Sequence, residues 1–171
     1  MLVIIGLILG AVLKGQELIF NARVKKMKND IDSLTAAVYT YQDRYGYLPG
    51  DDPSASSHVG SSFNGDGDGI IDGSETSGEG LYVWDHLHLA RLIAGSGTNR
   101  TACPFGGEYG FDQETFTGLG SRNAITVENV PAEVCRHLDE KYDDGLWNAG
   151  TIQGSGNYQT GTGNYTLRIM L

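Results

Sequence analysis

The chain has 171 residues, of which 40% are hydrophobic, with 25 glycines, 4 prolines and a formal net charge of -9. That supports one core plus an appendage, and the glycines keep no period of a repeat or collagen-like array. The charge is segregated, summing to +2 over residues 1–50, -7 over 51–80 and -4 over 81–171, so the globular part lacks the clustered positive surface that a nucleic-acid backbone requires, and its middle segment suits a cation.

Met1 to Leu13 is free of charge, after which Lys14 opens a basic collar continued by Arg23, Lys25, Lys26 and Lys28. The apolar run is shorter than the ~20 residues of a membrane-crossing helix. It also lacks the basic start and small-residue cleavage site of a secretory signal. From Val24 the pattern turns amphipathic, with Met27, Ile31, Leu34, Val38, Tyr41 and Tyr45 at spacings of three and four. One helix over about residues 1–45 follows, roughly 65 Å long at the α-helical rise, with its bend expected at Asn29–Ser33. Such a helix outruns the width of a head this size, so its first half protrudes. Residues 1–24 are therefore read as a protruding apolar and basic helix, and 25–171 as the head.

The stretch MLVIIGLILGAVLKGQELI, then Ile31-Asp32-Ser33-Leu34, then Tyr41 through Asp52 (YQDRYGYLPGDD) resembles the type IV pilins and the related pseudopilins of type II secretion. A looser likeness continues in Leu81–Ile93 and in Lys141-Tyr142-Asp143-Asp144-Gly145. The resemblance implies an α+β, type IV pilin-like fold: a long N-terminal helix packed on a small head with an antiparallel sheet. It further implies a subunit that waits in the inner membrane, meets an inner-membrane assembly machinery and then polymerises with copies of itself into an extracellular filament. The filament core would then comprise Met1, Leu2, Val3, Ile4, Ile5, Leu7, Ile8, Leu9, Val12 and Leu13. Family members carry a cleaved basic leader, a methylated N-terminal amine and a glutamate five residues into the mature chain. Met1 stands where the residue after that glutamate belongs, and five further mostly apolar residues bring the run to about bilayer length.

Asn64 to Glu75 (NGDGDGIIDGSE) fits a twelve-position calcium loop. Asn64, Asp66, Asp68, Asp72 and Glu75 supply side-chain oxygens, the carbonyl of Ile70 supplies a backbone oxygen, and Gly69 permits the sharp turn. Calcium takes about six to eight oxygens around one point, and four acidic groups within so short a loop repel one another without a cation. The ion's expected role is structural. Asn64 replaces the usual aspartate, and residues 54–63 read as loop, so the setting differs from a helix–loop–helix hand. An unliganded acidic surface loop is the competing reading.

Leu81, Trp84, Leu87 and Ile93 mark a helix ending near Gly95, with Trp84 as a core anchor. Strands are expected near Tyr109–Phe111 and Ala124–Glu128. Pro131 to Tyr142 reads as a helix with proline at its first turn, ended by Asp143-Asp144-Gly145, which also offers a lesser cation site. The chain then closes in a hairpin about Gly161–Asn164 with a last strand alternating Tyr165, Leu167, Ile169 and Leu171. Cys103 and Cys135 form no Cys-x-x-Cys pair. Outside the cytosol they read as one disulfide tying the 103–135 region, and otherwise as two buried thiols.

His58, His86, His88 and His137 are scattered and match no hydrolase or metalloprotease motif, so no enzymatic role is expected. Three functions remain: a pilus subunit, a type II secretion pseudopilin, and a membrane-tethered calcium-dependent binding module.

Overall fold

The computed structural model describes residues 2–171; Met1, together with the side chains of Leu2, Val3, Ile4, Ile5, Gly6 and Leu9, lies outside the described residues. The fold is α+β, a long N-terminal helix on a small antiparallel sheet. Helix α1 runs unbroken from Leu2 to Tyr45. The expected bend at Asn29–Ser33 does not interrupt it. Lys26 pairs with Asp30 at 2.6 Å and Lys28 with Asp32, both one turn apart, and Ser33 Oγ donates back to the Asn29 carbonyl at 2.7 Å. These local contacts offset the weak helix propensity of the polar cluster.

Burial divides the helix. Leu7, Ile8, Val12, Leu13, Leu18 and Ile19 are exposed, Leu7 by 70% and Leu13 by 65%. Phe20 touches the head, edge-on to Phe105 and His137. From Val24 the stripe Met27, Ile31, Leu34, Val38 and Tyr41 is buried, as its spacing requires.

The sheet that receives this stripe has the order β3-β4-β6-β5, all antiparallel, with β3 Tyr109–Phe116, β4 Gly120–Pro131, β5 Ile152–Gly154 and β6 Asn164–Met170. Both middle strand candidates extend beyond the expected segments, because Asp112 to Thr115 and Gly120 to Asn123 form the polar end of a hairpin that a search for apolar alternation passes over. The last strand departs further from expectation. It lies inside the sheet, paired with β4 on one side and on the other with β5, which precedes the Gly161–Asn164 turn by several residues. Its alternation holds, with Leu167 fully buried and Tyr165, Ile169 and Leu171 packed on the core.

Helix α3, Glu79–Leu89, and helix α4, Ala132–Tyr142, complete the core. Trp84 is fully buried, tilted against Phe111 at 5.2 Å between ring centres. A one-turn helix α2, Ala55–His58, and a two-residue hairpin of β1, Gly73–Ser74, and β2, Ser77–Gly78, lie in the segment between α1 and α3.

The two cysteines share this core as free, buried thiols, so the expected disulfide is not formed. Each sulfur has its own cradle. Cys135 Sγ donates to the Val130 carbonyl at 3.6 Å, and Cys103 lies among the N–H groups of Phe105 and Gly107 and the Tyr109 hydroxyl. Burial raises both thiols above their ordinary range, Cys135 to about 12.

Candidate metal centre

Between α1 and α3 the chain folds the glycine loop around a carboxylate that precedes it. The N–H groups of Gly67 and Asp68 donate to Asp51 Oδ1 at 2.7 and 3.0 Å, and that of Gly69 to Asp51 Oδ2 at 2.9 Å. Gly67 and Gly69 hold positive φ, 81° and 88°, which turns successive amides inward. Glu79, the first residue of α3, closes the other side, with Oε1 accepting from Asp66 N–H at 3.0 Å and Oε2 from Asp72 N–H at 3.2 Å. Asp51 and Glu79 are both buried. Oxygens of Asp51, Asp66 and Glu79 lie within 4.8 Å of one another.

A second buried network anchors this arrangement to α1. Tyr41 Oη donates to Asp52 Oδ2 at 2.8 Å, His58 Nδ1 lies 2.7 Å from the same oxygen, and Ser54 N–H donates to Oδ1 at 2.8 Å. His86 on α3 accepts from Gly50 N–H at Nδ1, which leaves its Nε2–H to donate to the Phe63 carbonyl at 3.0 Å. Gly50 has φ 92°, and a Cβ there would stand 2.6 Å from the Glu79 carbonyl oxygen, so the Tyr41–Asp52 stretch and the start of α3 meet through a residue without a side chain.

The electrostatics follow from burial. Removal from water raises Asp51, and its three amide donors oppose that rise. It likewise raises Glu79, helped by the charges of Asp51 and Asp72. Burial would raise Asp52 too, but its hydrogen bonds with His58, Ser54 and Tyr41 prevail and hold it below the ordinary carboxylate range. Two carboxylates that resist ionisation beside a third are the condition a divalent cation relieves.

Of the four predicted carboxylates, Asp66 alone joins this cluster. Asn64 turns away, its side-chain oxygen accepting from Ser56 N–H at 2.9 Å. Asp68 Oδ1 caps Ile70 N–H at 2.8 Å, and Asp72 is exposed. Glu75 rides on the β1–β2 turn to the far side of the loop, where it overlies Gly110 of β3. The inserted hairpin postpones α3, so Glu79 stands at the start of the exiting helix. Sequence reading passed over Asp51 and Glu79. The available signal was the Pro49-Gly50-Asp51-Asp52 turn and an acidic residue opening the first helix after the loop.

The donor set fits calcium. All three side chains offer hard oxygens and none offers sulfur or nitrogen. A carboxylate has about four lone-pair directions, so Asp51 keeps one beyond its three amide donors. The lesser candidate, Asp139, Asp143 and Asp144, also brings three carboxylates together. There Tyr158 Oη donates to Asp139 at 2.6 Å and Ile152 N–H to Asp143 at 2.7 Å, so these groups organise the loop after α4.

No helix among the described residues is long and apolar enough to cross a membrane. No family model, no curated protein and no solved structure matches the chain.

Proposed function

We propose that the chain is a type IV pilin-like structural subunit of an extracellular filament, polymerising through the outer half of α1. The observation that carries this reading is the contrast along one unbroken helix: Leu7, Ile8, Val12, Leu13, Leu18 and Ile19 are exposed, while the stripe from Val24 is buried. An apolar helical rod that leaves its head needs a second apolar surface, and copies of itself supply one. The resemblance of residues 1–52 to type IV pilins supports the same assignment, as does the α+β head. Residence in the inner membrane before assembly, and contact there with an assembly machinery, belong to this proposal.

The proposal includes a structural calcium ion held by Asp51, Asp66 and Glu79, with loop carbonyls and water completing its shell. The ion would neutralise the buried carboxylates and fix where α3 enters the head; it does no chemistry on a substrate.

Electron microscopy of the purified full chain after detergent removal tests the first part. Fibres are expected from the natural sequence and none from Ile8→Asp or Leu13→Asp, while both variants keep the natural melting temperature of the head. Fibres from these variants in normal yield would contradict the reading. Calorimetric titration of the full chain with calcium tests the second part: saturable uptake is expected, and Asp66→Ala and Asp51→Asn should remove it.

A further inference from the structure

The outer face of the sheet carries a polar cavity of about 480 Å³ lined by Glu75, Asp112, Glu114, Ser155, Thr166 and Arg168. Pairing aligns Gly110, Thr126, Arg168 and Gln153 across all four strands, so one row crosses the sheet. Gly110 leaves the room in that row. A Cβ there would stand 2.5 Å from Glu75 Cγ and 2.6 Å from Thr126 Oγ1, so the Glu75 side chain lies over the Thr126 hydroxyl in the space a side chain would fill.

Two of the four buried side-chain polar atoms without a hydrogen-bond partner among the described residues lie in this row, Thr126 Oγ1 and Arg168 Nε. Thr126 is fully buried. Arg168 is stretched across the sheet, its Nη1 donating to Glu114 at 3.3 Å and its Nη2 to the Gly154 carbonyl at 2.7 Å, which leaves the Nε–H over. The charges of Glu114 and Glu75 both act on Asp112, and moving Glu75 aside relieves part of that grouping. Orphaned buried donors cost stability until something accepts from them.

The mixture of groups selects the class of ligand. Ser155 Oγ–H and Thr166 Oγ–H donate from the lining and Arg168 Nε–H and Thr126 Oγ–H from beneath it, whereas Glu75, Asp112 and Glu114 accept. A metal ion or an ammonium group would satisfy the carboxylates and leave the guanidinium N–H unpaired. A phosphate or sulfate would do the reverse and meet three carboxylates. Each hydroxyl of a sugar both donates and accepts, so a polyol serves both sets at once. The volume falls within the roughly 300–1,000 Å³ of small-molecule sites. We propose that this face of the sheet is a carbohydrate-binding site in which Arg168, Asp112 and Glu114 grip vicinal hydroxyls of a sugar unit and Glu75 moves aside to admit it. The site is separate from α1 and from the calcium cluster and requires neither polymerisation nor metal.

The isotope-labelled full chain, in a zwitterionic detergent with no sugar headgroup, is titrated by NMR with the methyl glycosides of galactose, mannose, glucose and N-acetylglucosamine. Methylguanidinium and calcium are run as separate probes. At least one glycoside should give saturable shifts at the amides of Gly110, Thr126 and Arg168, leaving those of Asp51 and Asp66 unmoved. Asp112→Asn, on the edge strand, should weaken that binding about fivefold, the worth of one hydrogen bond, and Arg168→Lys by more. The absence of saturable shifts with every glycoside overturns the proposal. So do shifts that Asp112→Asn leaves unchanged, and tighter saturation of the same amides by methylguanidinium or calcium, which would make the site one for cations.

Discussion

The outer and inner halves of α1 share one backbone and differ in almost everything around it. In the inner half a single stripe meets the sheet, and paired charges such as Lys26–Asp30 flank it, with Asp30 also accepting from the Tyr109 hydroxyl at 3.3 Å. In the outer half the apolar side chains point around the circumference into solvent, and Gly10 and Gly15 have no neighbouring atom within 4 Å of an added Cβ. Isolated helices of this length are marginal in water, so packing stabilises the inner half within one chain, while the outer half depends on what surrounds it. The head can be folded while the molecule is still unfinished. Small residues at Gly10 and Gly15 are then the places where a second helix can come close.

The largest effects should separate the halves cleanly. Ile8→Asp or Leu13→Asp is expected to reduce fibre yield by an order of magnitude or more, because a buried charge costs several kcal/mol at every repeat, with no change in the head's melting curve. Met27→Ala, in the inner half, should do the converse. Its fully buried side chain is worth about 2–5 kcal/mol on truncation, read as a lower denaturation midpoint with an unchanged slope. If Leu13→Asp destabilised the head as much as Met27→Ala, the division of α1 into two environments would fail.

Calcium ranks next. At about a hundredfold excess over its dissociation constant it should stabilise the head by ~2.7 kcal/mol, a rise in melting temperature that Asp66→Ala abolishes and that substitutions in residues 7–19 leave intact. Loss of the single hydrogen bond from Tyr41 to the buried Asp52 should cost about 1–3 kcal/mol in Tyr41→Phe, measured in the same melts.

The smallest effect is the pH dependence, and its sign depends on the metal. Asp51 and Glu79 are raised in the folded state, so the folded chain binds protons more readily than the unfolded one. In chelator their contribution to stability is present below the unfolded carboxylate range and is lost as the pH rises through their raised values. Melting temperature in chelator should therefore increase as the pH falls through those raised values toward the ordinary carboxylate range. In calcium the slope should invert, because protons and the ion compete for the same oxygens. Asp52 acts oppositely and later: its lowered value gives stability that is lost only as pH falls through it, below the usual carboxylate range.

Much of the fold was legible because its signals are periodic. The spacing from Val24 to Tyr45 specified the inner half of α1, and alternation from Tyr165 onward specified β6. The extent of β3 and β4 was less visible, since Asp112–Thr115 and Ser121–Asn123 are polar on both faces and are held as strand by pairing with each other. Of the candidate cluster's three carboxylates, one was legible. Asp66 could be found from local spacing, but Asp51 comes from the turn after α1, and Glu79 enters only because the β1–β2 hairpin lengthens the loop. Glu75, ideal by spacing, is carried by that hairpin to the other face of the sheet. The cysteines show the same limit, since two thiols in one core can stand in separate cradles, a fact that their spacing does not contain.

The central claim, that the outer half of α1 is finished by copies of itself, is tested most directly by helical reconstruction from cryo-electron micrographs of fibres assembled from the pure full chain. The account predicts residues 7–19 of neighbouring copies packed together along the fibre axis, with the sheets outward and away from it. Fibres with heads at the axis and α1 in solvent, or a chain that stays monomeric once detergent is removed, would contradict it.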